Sequence, residues 1–209
     1  MRIFVTLVVF LIASATNAQE QKVSSVINLY GVTFTYGIPP WVTPGDTMLD
    51  QVKTFRDQKG PSFLIEFIPS DEEFESWNKM FAISAYRNTA PVPIDLWQNV
   101  SLDTLRKVCQ GYKETVLVKQ EKVALVQVVC PRIAGVPLKG YEGDIGQVAV
   151  FAFLMNGSVL INHRMEWRGA AFDGEDESSW PVEVSEVEAV AQALQGAKAT
   201  GGAGVIAFQ

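Results

Sequence analysis

The chain carries a single histidine, His163, so any imidazole chemistry must pass through it. Its surroundings, Val159 to Arg168, alternate as a strand does. Val159, Ile161, His163, Met165 and Trp167 share one face, and Leu160, Asn162, Arg164, Glu166 and Arg168 share the other. The nearest carboxylate, Glu166, therefore points away from His163, which takes the place of a core histidine among apolar neighbours. No G-x-S-x-G elbow and no third triad member stand in the sequence, which argues against acyl transfer. Arg164, Glu166 and Arg168 set two guanidiniums and a carboxylate in a row. Arginine offers paired planar donors to carboxylate or phosphate, so the row is a candidate seat for an anionic ligand or partner. The competing reading is a solvated sheet face, where each ion pair is worth little.

Glu66 has Leu64 and Ile68 on its own strand face and Phe63, Ile65 and Phe67 on the other. A carboxylate there is costly to bury alone. It reads either as a general acid of raised pKa or as the partner of an arginine across the sheet. Two carboxylates such as Glu66 and Glu166 facing each other over a cleft would suit glycoside hydrolysis. A hydrolase using Glu66 or Glu166 with His163 is thus one alternative, and a carrier of a small anionic ligand using Arg164 and Arg168 is another.

Weaker signals complete the inventory. Gly140, Gly143 and Gly146 resemble a phosphate loop, but they lead into a strand and not a helix N-terminus. The run Asp173 to Glu177 lacks the ligand spacing of a calcium loop and reads as a solvated acidic loop. Asn99 and Asn156 head glycosylation sequons, and Asn156-Gly157 is also a hairpin signal. One His with two Cys supplies too few ligands for a metal site, and nothing implies a cofactor. Trp41 and Trp77, in or beside loops, are candidates for an apolar surface that binds another protein, or for packing under those loops.

Composition sets the frame. The 209 residues are 48% hydrophobic and 19% charged, with 2 Cys and a formal charge of −6. That excludes a disordered chain, and the negative balance argues against nucleic acid or an anionic membrane surface as the main partner. Arg2, the apolar run Ile3 to Ala13 and the small residues up to Ala18 match a secretory signal peptide over 1–18, too short in its core for a membrane span. The expected location is periplasmic or secreted. In that oxidising setting Cys109 and Cys130 are expected to form a disulfide worth roughly 3 kcal/mol.

The elements that must position these residues follow from periodicity. Strands are expected over Val32–Tyr36, Phe63–Ile68 and Met80–Tyr86, with a hairpin joining the segment before Lys59-Gly60 to the second of them. Trp97, Ser101, Leu105, Val108 and Tyr112 give one helical face, with Cys109 a turn beyond Leu105 and near the core. Val116–Lys119 pairs with Val123–Cys130, which Pro131 ends, and Val148–Met155 pairs with Val159–Trp167 through an Asn156-Gly157 turn. A last helix starts at a capping box of Ser185 and Glu188 and carries Val187, Val190, Ala191 and Leu194 as its apolar stripe. Residues 19–200 are expected to form one α+β domain, an antiparallel sheet with a central and a C-terminal helix packed on it, and 201–209 a loose tail.

This element order, with Phe67-Ile68-Pro69, Glu75-Ser76-Trp77 and the strand Met80–Tyr86, resembles the α/β/α sandwich of PsbP-like and DcrB-like exported proteins. The resemblance implies a non-catalytic accessory or binding protein of the bacterial envelope and carries over no binding residue.

Overall fold

The structure, a computed structural model, describes residues 24–45, 48–134, 140–141 and 143–209. The expected signal peptide, 1–18, lies outside the described residues. Among the described residues no helix is long and apolar enough to cross a membrane.

Among the described residues antiparallel strands dominate, and two α-helices accompany them. In chain order, β1 (Ser24–Leu29) and β2 (Val32–Gly37) form a hairpin. They are followed by β3 (Val52–Lys59), β4 (Ser62–Pro69), β5 (Lys79–Arg87) and α1 (Ile94–Val108). Then come β6 (Cys109–Gln110), β7 (Lys113–Lys119), β8 (Val123–Ile133), β9 (Ile145–Asn156) and β10 (Val159–Ala170). The chain closes with α2 (Val184–Leu194), β11 (Lys198–Gly201) and β12 (Gly204–Ala207). The strands make two sheets where the sequence suggests one. The larger runs β3-β4-β5-β10-β9-β8, with β6 and β7 both pairing to β8, and the smaller runs β1-β2-β11-β12.

β9 explains the layering. It is apolar on both faces apart from Gln147 and Asn156, and all of it is buried. Its Val148, Val150, Ala152 and Leu154 join Phe34 and Ile206 of the small sheet and Val187, Val190, Ala191 and Leu194 of α2 in the main core. Its Ala149, Phe151, Phe153 and Met155 join Ile94 and Leu102 of α1 in a second cluster on the opposite face. The α2 stripe is the one its periodicity predicts.

Several local expectations are corrected. The capping box does not form: α2 begins after Glu183, without a side-chain cap, so Ser185 is already inside the helix. α1 stops at Val108, leaving Tyr112 outside it and Cys109 in β6, opposite Ile133. Pro131 does not end β8. The strand passes through it at a register irregularity between Cys130 and Ile133, the kind of place that tolerates a residue without an N–H. The tight turn after β9 is Gly157-Ser158, with Gly157 at φ +61 in its first central position, because Asn156 still pairs with Val159. Asn156 is instead buried and ties the two sheets together. Its amide nitrogen donates to the carbonyls of Ala199 and Gly204 (2.9 Å each), and its oxygen accepts from the N–H of Ala203. Residues 201–209 are accordingly no loose tail: β12 pairs with β11, and Ile206 is buried.

Cys109 and Cys130 are bonded, with Cα atoms 5.6 Å apart, and join the short edge strand β6 to β8. Replacing both, as Cys109→Ser with Cys130→Ala, should lower the urea-unfolding free energy by about 3 kcal/mol. An unchanged midpoint would show that the bridge adds nothing.

His163 lies in the main core, 1% exposed, edge-on to Phe81 (ring centroids 4.7 Å), Phe34 (5.6 Å) and Tyr36 (5.7 Å). Neither ring nitrogen has a hydrogen-bond partner. Burial, with the Arg164 charge adding to it, pulls its pKa down from 6.5 to about 3. The folded chain thus holds a neutral imidazole where the unfolded chain takes a proton. Stability from this residue is full above pH 6.5 and drains away as pH falls toward 3. His163→Leu should flatten that limb by up to about 1.4 kcal/mol per pH unit, measured by urea unfolding between pH 7 and 4. Parallel curves for the two proteins would refute it.

Candidate functional site

Strand register places the charged row. On the face away from the small sheet, Glu66 of β4, Ala82 of β5 and Arg164 of β10 lie opposite one another across three adjacent strands. The small Ala82 between them lets the two long side chains meet, and Arg164 Nη2 stands 3.5 Å from Glu66 Oε1. Arg164 Nε donates to Glu166 Oε1 (2.5 Å), and Gln147 Nε2 donates to Glu166 Oε2 (2.6 Å). Arg168, opposite Gln147 in the ladder, donates from Nε to Gln147 Oε1 (2.8 Å). The chain Glu66–Arg164–Glu166–Gln147–Arg168 is thus one continuous polar network with two charges of each sign. Burial pushes the Glu66 carboxyl above its usual range, against the pull of Arg164.

Two covers leave this strip open between them. On one side stands α1, whose Trp97 Nε1 donates to the carbonyl of Ile161 (3.2 Å). α1 is tied down on its other flank by Glu114, which accepts from Gln98 (2.7 Å), Arg106 (2.6 Å) and the Tyr112 hydroxyl (2.7 Å). Burial alone would raise the Glu114 carboxyl, but these donors outweigh it and hold it below the usual carboxylate range. On the other side, the segment around Phe74 and Trp77 packs on Ile68, Met80 and Ala82. Gly140 fits there only without a side chain: at φ +87, a Cβ would lie 2.7 Å from the Glu75 carbonyl oxygen. That approach brings the Tyr141 hydroxyl to the Trp77 carbonyl, to which it donates.

Between these covers runs a groove. One cavity of about 620 Å³ lies beneath α1, walled by Trp97, Val100, Leu105 and Phe151 and floored by Asn162, Arg164, Glu166 and Arg168. A second, of about 580 Å³, shares Arg164, Glu166 and Arg168 and is walled by Phe55, Phe74, Trp77 and Met80. The Arg168 guanidinium lies 3.9 Å from the Trp77 ring centroid and 5.9 Å from that of Tyr141, a cation–π stack.

The sequence-derived residues therefore divide. Trp77, Arg164, Glu166 and Arg168 come together, and Glu66 joins them. Trp77 is only 4% exposed, so it serves as the platform under Arg168 and not as a projecting anchor. Trp41 is apart from them, half-buried against the main core. His163 belongs to the opposite face of the sheet from Glu66 and Glu166, so the three do not share a site. The acidic loop spends its carboxylates on local turns: Asp173 accepts from the N–H of Glu175, and Asp176 accepts from that of Ser178. Sequence reasoning missed Gln147, Asn162 and Tyr141 as parts of the site. Only the even-numbered alternation of β10 could have marked Asn162.

Comparison of the chain with family models, with curated proteins and with solved structures found no match.

Arg164 is the charge that reconciles two carboxylates in a largely covered strip. Arg164→Leu should cost about 3 kcal/mol in urea unfolding, because Glu66 and the 7%-exposed Glu166 lose their common counter-ion. Adding Glu166→Leu should recover part of that loss. If the double variant is less stable than Arg164→Leu, the pairing is not what the row depends on.

Proposed function

We propose that the mature chain is an exported, non-enzymatic accessory protein of the bacterial envelope, and that its ligand lies in the groove between α1 and the Phe74–Trp77 segment. The single observation that carries this is the combination of apolar walls with a stacked arginine on the floor. Concave, mostly apolar sites with a few placed polar groups are the usual form of a ligand pocket. Arg168 is held by Gln147 and Trp77, and among the described residues no carboxylate lies within ion-pairing distance of it. Its guanidinium lines both cavities and suits an anionic group. The accessory role is also what the PsbP-like and DcrB-like resemblance implies. Export accords with the Cys109–Cys130 bridge, since disulfides persist in oxidising compartments.

The hydrolytic alternative is the weaker one. Glu66 and Glu166 both line the second cavity, but Arg164 engages the two of them, and His163 is on the far side of the sheet.

The protein purified from its own host under native conditions should begin at Gln19, and native mass spectrometry should find it carrying a small ligand. Thr104→Trp, which fills the groove from its exposed rim, should come without that ligand. An uncleaved leader on protein retained inside the cell would overturn the export, and a ligand retained by Thr104→Trp would overturn the site.

A further inference from the structure

The floor of the groove is polar along its whole length, with a repeat set by the strand. Asn162, Arg164, Glu166 and Arg168 project from one face of β10 at alternate positions, so successive groups are roughly 6.6 Å apart and the row spans about 20 Å. Two atoms along it lack partners. Asn162, 5% exposed, has a buried Oδ1 that accepts nothing, and the buried Ser101 Oγ on the α1 wall is also unpaired. Both residues line the groove. At the far end stands Arg168, which donates to Gln147 and makes no direct ion pair among the described residues. Between them Arg164 pairs with both Glu166 and Glu66. An occupant therefore needs a donor at one end, an anion at the other, polar atoms between, and apolar groups for Trp97, Leu105 and Phe151.

We infer that the groove takes an extended peptide of about six residues, with a backbone N–H at Asn162 and an acidic residue or C-terminal carboxylate at Arg168. This rests on the groove being the binding site proposed above and names the class of its ligand. An extended chain repeats every two residues at the spacing of the floor, and it carries an N–H and a C=O at each repeat. Its alternate side chains then turn to the apolar wall, as in other grooves that read extended peptides. A fatty acyl chain of the same length would cover Asn162, Arg164 and Glu166 without replacing the water it displaces, and that is costly.

The test uses the mature protein and a pool of fluorescein-labelled hexapeptides ending in a free Asp, random at the other five positions. A matched pool ends in Asn-amide, and dodecanoate serves as the acyl probe. Fluorescence anisotropy should show the Asp pool binding at least tenfold more tightly than the Asn-amide pool. Arg168→Gln should abolish that difference, and Thr104→Trp should abolish binding of both. Should Arg168→Gln fail to fold, the tenfold preference of the unmodified protein decides by itself. Dodecanoate binding that Thr104→Trp blocks, with neither peptide pool bound, would keep the groove and overturn the peptide. Peptide binding undiminished in Thr104→Trp would overturn the assignment to the groove. Failure of the peptides and dodecanoate alike would overturn both.

Discussion

The structure depends above all on the register of β10 between β5 and β9. A side chain on a strand points to one face or the other, and a shift of one position would exchange them all. In the observed register Ile161, His163, Met165 and Trp167 fill the main core, while Asn162, Arg164, Glu166 and Arg168 floor the groove. A slip would bury two guanidiniums against the small sheet and α2, where nothing compensates them. The apolar face thus fixes the position of the polar one, and the charged row needs no interactions of its own to be placed. Its internal pairing then keeps two carboxylates and two arginines in a half-covered strip at tolerable cost.

The second requirement is that the groove side of the sheet be covered incompletely. α1 takes the part over β8 and β9, and the Phe74–Trp77 segment takes the part over β4 and β5. What lies between is left to polar side chains, and none of the described elements covers it. Glu114, with its donors from α1 and from Tyr112, holds the helix at that distance. Asn156 and α2 belong to the scaffold on the other face of the sheet, whereas the disulfide packs with Leu105, Val108 and Ile133 at one end of the groove wall.

What the sequence made legible was whatever follows from a short period. The alternation of β10 predicted both of its faces, and the α2 stripe was read residue for residue. The helical face Trp97, Ser101, Leu105 and Val108 was also visible, but its meaning was not. Such a stripe marks a surface turned inward, and here Trp97, Leu105 and Val108 wall a cavity while Ile94, Gln98 and Leu102 take the buried side. Features that rest on distant partners were hidden. β1 is short and polar on one face, and its turn to β2 uses Tyr30 at φ +56 in place of a familiar Asn-Gly pair. Residues 201–209 looked like a loose tail because β2, the strand that pairs with β11 at Lys198, Ala199 and Thr200, is far away in sequence. The approach of Glu66 to Arg164 required a β4–β5–β10 order that no local pattern gives.

The central claim is that the β10 row between Asn162 and Arg168 receives the ligand. Nuclear magnetic resonance of the 15N-labelled mature protein, titrated with the Asp-terminated hexapeptides, addresses it at the atoms concerned. The Arg168 Nε–H and Asn162 side-chain amide signals should move together and saturate, while backbone signals of Val26 and Val205 on the small sheet stay fixed. Shifts confined to the small sheet or to the Trp41 loop, with Arg168 and Asn162 unmoved, would contradict it.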